Sequence, residues 1–109
     1  MELFRMFDPK ILKHAMGHQS CVLLDKDNGC VGECMAGMSL YQTEEFPESQ
    51  KHTFQEGFYV VEGEGFALIG EEEIAIRAGM AFLVPTGKAH AIRKGKNCSQ
   101  VQVFWFHSE

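Results

Sequence analysis

Gly79-Met80-Ala81-Phe82-Leu83-Val84-Pro85-Thr86-Gly87-Lys88-Ala89-His90 decides the fold of this 109-residue chain. Ala78-Gly79 reads as a turn, residues 80–84 as a short apolar strand, Pro85-Thr86-Gly87 as a second turn, and His90 as part of the strand that follows. The same rhythm extends toward the N-terminus. Residues 58–61 predict a strand, Glu62-Gly63-Glu64-Gly65 a turn, 66–69 the return strand, 70–72 a turn and 73–77 another strand. Residues 101–106 predict the last strand. Further upstream, residues 20–24 form a short apolar run, Asp25-Lys26-Asp27-Asn28-Gly29 a turn with an Asn-Gly signal, 30–41 a longer Gly-interrupted strand, and 42–51 a polar loop. Short, evenly spaced strands with glycine turns between them predict an all-β sandwich or small barrel. Gly63, Gly65, Gly79 and Gly87 are expected to supply turn geometries that β-branched residues resist. The one helix candidate is residues 8–17, where Asp8 can cap, Pro9 fits the first helical position and Gly17 fits the stop.

Chemistry concentrates in two places. One is Gln50-Lys51-His52-Thr53-Phe54-Gln55-Glu56, the other is His90. Imidazole and carboxylate are ligands for divalent transition metals. On an antiparallel strand, residues two apart share a face, so Gln50 and His52 can point together into a barrel. Glu56 can join them after a tight bend, and His90 can enter from a neighbouring hairpin. Two histidines and one carboxylate make a facial triad with open positions for water, oxygen or substrate. The bland alternative is a metal-free barrel in which these side chains bond to one another or to a ligand.

These two segments resemble the paired motifs of the cupin superfamily. In that pattern, His-x-His is followed after three or four residues by Glu and six residues later by Gly. His52, Glu56 and Gly63 fall on the second His, the Glu and the Gly. Gly79 to His90 follows the second motif, Gly-x5-Pro-x-Gly-x2-His, without a gap. The resemblance covers residues 50–94. It implies a small single-domain cupin over 1–109: an all-β double-stranded β-helix (jelly-roll) barrel at 19–107 behind an N-terminal segment, 1–18, with a short helix. It also implies one divalent metal ion (Zn, Fe, Mn or Ni) at Gln50, His52, Glu56 and His90. Three positions depart from the pattern: Gln50 for the first His, Lys94 for a closing Asn, and Glu44 for an early Gly. A glutamine can offer its carbonyl oxygen but is a weaker donor than imidazole. A set of Gln, two His and Glu is similar to that of the zinc-dependent phosphomannose isomerases. Ligation by Gln50 would favour isomerase or lyase chemistry, and its absence oxygen chemistry or loose binding.

Composition excludes several classes. The formal charge is −5 at pH 7, so a nucleic-acid footprint is not expected; the cluster of Arg93, Lys94 and Lys96 reads as a solvated loop, as does the acidic run Glu71-Glu72-Glu73. No apolar run approaches the ~20 residues that span a bilayer. The N-terminal residues lack the pattern of a secretory signal, so the expected compartment is the cytoplasm and the expected state of Cys21, Cys30, Cys34 and Cys98 is a buried, reduced thiol. Cys30 and Cys34 have a spacing that zinc sites use, but on a strand they would lie far apart along one face. His14 and His18 are expected on the surface in or after the helix, and His107 near a mobile end. Phe58, Phe66, Phe82 and Phe104 are expected to fill the barrel.

Cupins host many chemistries, so the fold does not fix the function. The expectation is a metal-dependent enzyme of isomerase, lyase or oxygenase type acting on a small polar metabolite, with Glu56 assisting proton transfer. The alternative is a non-catalytic small-molecule or sugar-binding module. No second domain is expected. Val101, Val103 and Trp105 alternate with Gln102, Phe104 and Phe106, so the last strand is apolar on both faces, which predicts a homodimer.

Overall fold

Alternation of side chains organises the chain. Along Gln55–Glu62, Phe58 and Val60 are buried while Tyr59 and Val61 face outward. Along Val101–Ser108, Val101, Val103 and Trp105 are buried in the same way. Period-two burial of this kind is what a sheet with one face on a core requires. The computed structural model describes residues 3–15 and 17–109.

The described strands are β1 (Lys13–Ala15), β2 (His18–Leu24), β3 (Met35–Tyr41), β4 (Gln55–Glu62), β5 (Glu64–Ile69), β6 (Glu72–Arg77), β7 (Ala81–Val84), β8 (His90–Lys94) and β9 (Val101–Ser108). They form a six-stranded sheet, in the order β1-β2-β3-β9-β4-β7, and a three-stranded sheet, β6-β5-β8. Every pairing is antiparallel. The sheets pack on a shared core: Phe58, Val60, Val103 and Trp105 come from the larger sheet, and Ala67, Ile76 and Ile92 from the smaller. Each fully buried aliphatic or aromatic side chain of this kind contributes about 1.5–3 kcal/mol. The architecture is the all-β barrel that the strand spacing predicts. Among the described residues, no helix is long and apolar enough to cross a membrane.

The β4–β5 turn is tighter than expected, with Gly63 alone between the strands. Its φ is 88°, and a Cβ there would strike the carbonyl oxygen of Gln100. Glycine is required twice over, by backbone conformation and by close approach. Gly65 differs. It lies inside β5 and its role is close approach to the backbone of Arg93, not turn geometry.

The structure corrects three local expectations. No helix spans 8–17. The local chemistry is as read, with Asp8 accepting from the Lys10 amide and Pro9 opening the turn, but only a 3-10 turn forms, at Pro9–Ile11. Lys13–Ala15 then pairs with β2, so sheet pairing outcompetes propensity; Met16 lies outside the described residues. The long strand at 30–41 is short: Asp25 and Asn28 cap a 3-10 turn at Lys26–Asn28, Gly29 closes it at φ 97°, Gly32 sits at φ 63°, and β3 starts only at Met35. Cys30 and Cys34 are therefore in a loop, half-buried and exposed, not buried in a strand. Arg93 is not a solvated loop residue. It lies in β8, its guanidinium 4.2 Å from the Phe66 ring centre and 2.9 Å from Glu73. Phe66 is thus drawn to Arg93, while Phe58 is deep core and stacks on Phe82 at 4.9 Å.

Candidate metal centre

The two motifs are strapped together by their backbones. Gln50 and His90 form an isolated bridge: the Gln50 amide donates to the His90 carbonyl and the His90 amide to the Gln50 carbonyl, each at 2.8 Å. The Gly87 amide donates to the His52 carbonyl, also at 2.8 Å. The Pro85-Thr86-Gly87 turn thus holds the 50–52 segment against the start of β8. No regular strand carries Gln50 and His52; that bridge replaces it. Glu56 enters from the first turn of pleat in β4, where it opposes Val84 of β7 and His107 of β9.

One buried carboxylate gathers three imidazoles. Glu56 Oε1 lies 3.1 Å from His90 Nε2 and 3.5 Å from His52 Nε2, and Oε2 lies 2.8 Å from His107 Nε2. His52 is half-buried and stacks on Phe54 at 4.7 Å. Phe54 also packs on His107 at 4.1 Å. Burial by itself pushes the Glu56 carboxyl up; the contacts from His107 and then His90 outweigh it and hold the carboxyl at about 2. Burial pushes the His52 imidazole below its ordinary value, against the pull of Glu56, and the neighbouring His90 and His107 add to the fall. The site therefore favours an ionised carboxylate and a neutral imidazole, the protonation states that metal ligation demands.

His52, Glu56 and His90 form a group that could hold a metal ion, with one ligand atom from each lying within 4.8 Å of the others. The residues fit a cation on a further ground. Glu56 Oε1 is buried and makes no hydrogen bond, although two Nε2 atoms stand beside it. A buried carboxylate oxygen left this way costs free energy that a cation recovers. Gln50 lines the same cavity.

The cavity has a volume of about 690 Å³. All five histidines of the chain line it. That corrects the reading of His18 and His107 as surface residues; His14 lines the cavity too but is exposed, as expected. His107 is inside because β9 runs to Ser108 and continues the inward series of Val103 and Trp105. His14 and His18 arrive on β1 and β2, and His18 stacks on Tyr41 at 4.6 Å. Buried Tyr41 forms part of the wall; burial, then the Glu56 charge, pushes its phenol above its ordinary value. Ile11, Val22 and Trp105 add apolar surface, and Lys13, Ser20 and Ser39 polar surface.

Comparison with solved structures places this architecture. The plu4264 protein from Photorhabdus luminescens superposes with a TM-score of 0.83 at 17% identity, over 100% of this chain and 89% of that one. The hydroxypropylphosphonic acid epoxidase from S. wedmorenis, in complex with fosfomycin, gives 0.80 at 15% identity, over 96% of this chain and 58% of that one. A salicylate 1,2-dioxygenase variant from Pseudoaminobacter salicylatoxidans, in complex with gentisate, gives 0.72 at 18% identity, over 85% and 25%. At these identities the likeness shows the fold. No curated protein matches the sequence. Residues 37–107, which contain both motifs and all of β4 to β8, match the cupin domain, and the chain belongs to that family.

Proposed function

We propose that this protein is a metal-dependent cupin enzyme that binds one divalent ion through His52, Glu56 and His90, with Gln50 as a weaker fourth donor. The observation that carries the reading is the Glu56 carboxylate, buried and ionised, with Oε1 unbonded beside two Nε2 atoms. A divalent ion there supplies Lewis acidity toward a substrate oxygen or, if redox-active, an open site for oxygen chemistry. A small polar metabolite is the substrate class that suits a cavity of about 690 Å³ with Lys13, Ser20 and Ser39 among its polar wall. Glu56 takes part as a charged ligand. A carboxyl held at about 2 stays ionised at neutral pH, as ligation requires. The hydroxypropylphosphonic acid epoxidase and the salicylate 1,2-dioxygenase support an oxygenase, as fold-level analogy. Ligation by Gln50 would support an isomerase or lyase.

A non-catalytic small-molecule or sugar-binding module is the second reading. The cavity's mixed wall favours it, with Lys13, Ser20 and Ser39 as polar groups beside Ile11 and Val22. Elemental analysis should find one divalent ion per chain. Chelation should lower the melting temperature, and Zn or Mn should restore it: a ligand at a hundredfold excess over its dissociation constant stabilises the fold by about 2.7 kcal/mol. An unchanged melting curve together with no metal would remove the reading. Metabolites that raise the melting temperature without turnover under any of Zn, Fe, Mn or Ni would favour the binding module.

We place the protein in the cytoplasm, in keeping with four thiols that form no disulfide. We also assign it a homodimer. Leu83 and Phe106 flank Gly57 on the outer face of the large sheet, and both are exposed, as is Tyr59 in the next row. Phe106 covers Gly57, leaving a low apolar surface that a second copy of this sheet would match.

A further inference from the structure

A second group of reactive side chains lies in the β2–β3 connection, outside the histidine cavity. The loop curls twice. Gly29 closes the capped turn with its amide on the Lys26 carbonyl at 3.0 Å, and Gly32, at φ 63°, reverses the chain again. The Cys30 amide is held by the Asp25 carbonyl at 3.2 Å and the Cys34 amide by the Val31 carbonyl at 3.2 Å. Glu109 fastens the outer side by accepting from the Glu33 amide at 3.1 Å. The double reversal brings Cys34 Sγ to 2.7 Å from Cys30 Sγ. That is within ~0.7 Å of the ~2.05 Å of a disulfide bond.

We propose that Cys30 and Cys34 are a redox-active dithiol, converted to an intraloop disulfide by exchange with a low-molecular-weight disulfide of the glutathione class. Access and geometry favour this pair over the other two thiols. Cys34 is exposed, and Val31 at the loop apex is 83% exposed. Cys21 is buried in the barrel wall, and the Cys98 thiol is engaged with the Glu64 carbonyl at 3.1 Å. Cys34 is the more exposed of the two, which makes it the first nucleophile, with Cys30 as the resolving thiol.

The exchange balances in two steps. The Cys34 thiolate attacks one sulfur of the small disulfide. Its S–S bond breaks, a mixed disulfide forms on Cys34, and one small thiolate leaves with the electron pair. The Cys30 thiolate then attacks Cys34 Sγ and expels the second small thiolate. The two protein thiols lose two electrons, the small disulfide gains them, and the two thiol protons end on the two released small thiols. The pair stands one residue ahead of Met35, whose cross-strand partner is His107. The oxidised loop would therefore be tied down at the end of the sheet that holds the histidines.

Full-length protein equilibrated across a series of reduced-to-oxidised glutathione ratios, then denatured, alkylated and mapped by mass, tests this. The expected result is loss of two of the four alkylatable thiols, in one peptide lighter by two hydrogen atoms that joins Cys30 to Cys34. Cys30→Ser should instead trap glutathione on Cys34. Alkylation of both residues at every ratio would overturn the proposal. So would a cross-link through Cys21 or Cys98, or a Cys30→Ser protein that carries no adduct.

Discussion

His107 and Glu56 are direct cross-strand partners, and His107 Nε2 donates to Glu56 Oε2 across 2.8 Å. The bond occupies the oxygen that faces β9 and turns the other toward His52 and His90. A partner of this kind fixes a ligand's orientation without touching the ion. His107→Ala should therefore weaken divalent metal binding by about 10- to 100-fold. His107→Gln, which keeps a donor, should recover part of the loss. Competition titration of apo-protein with a chromogenic chelator measures both.

Gln50 is the proposed fourth donor, and its variants test that role. Gln50→His should tighten Zn and Mn binding, because imidazole replaces a neutral amide oxygen. Gln50→Ala should weaken it only modestly. His52→Ala, Glu56→Ala and His90→Ala should each be far worse. Titrations in which the Gln50 variants behave as the parent would show that Gln50 is no ligand, and a His90 variant that binds normally would dismiss the whole ligand set.

Acid should act on the site in two stages. Burial holds His52 below its ordinary value in the fold, so its neutral form is favoured and protons compete with a metal for it only below the ordinary imidazole range. Metal affinity should hold through neutral pH and drop only once the solution is more acidic than an ordinary imidazole needs for protonation. Glu56 is also depressed, from 4.5 to about 2. Its contribution to folding is present above its unfolded value of 4.5 and is lost as pH falls from there toward 2. Apo-protein should accordingly lose a few kcal/mol of unfolding free energy between pH 5 and 2, and Glu56→Gln should lose less over that range. Urea titrations across the series give the slope.

The outer face of the large sheet is the proposed dimer surface. Phe106→Glu or Leu83→Glu places a charge in the apolar rows beside Gly57 and should give monomer where the parent sediments as dimer at micromolar concentration. A parent that sediments only as monomer would refute the assembly.

The sequence disclosed the second motif most fully, because its meaning is local. Turn residues at Gly79, Pro85 and Gly87 set where His90 begins its strand, and spacing along the chain preserves that information. His107 was legible only in part. Its alternation with Val103 and Trp105 puts it on the inner face, but its nearness to Glu56 depends on β9 pairing with β4, a contact that no short window contains. The helix at 8–17 failed for the opposite reason. Asp8 and Pro9 do what capping chemistry says, yet Lys13–Ala15 finds a strand partner in β2. At Cys30 and Cys34 the two nearby glycines were the available sign that no strand could run through.

The strap between Gln50 and His90 has a kinetic corollary. It joins the chain ahead of β4 to the start of β8, so the meeting of His52 and His90 closes a loop that contains the four strands β4 to β7. An ion held by both would then bind after the barrel has assembled. Interactions absent from the folding transition state slow unfolding and leave the folding rate nearly unchanged. Metal loading should thus lengthen the lifetime of the native protein, and the unfolding arm of a chevron would move while the refolding arm stayed in place.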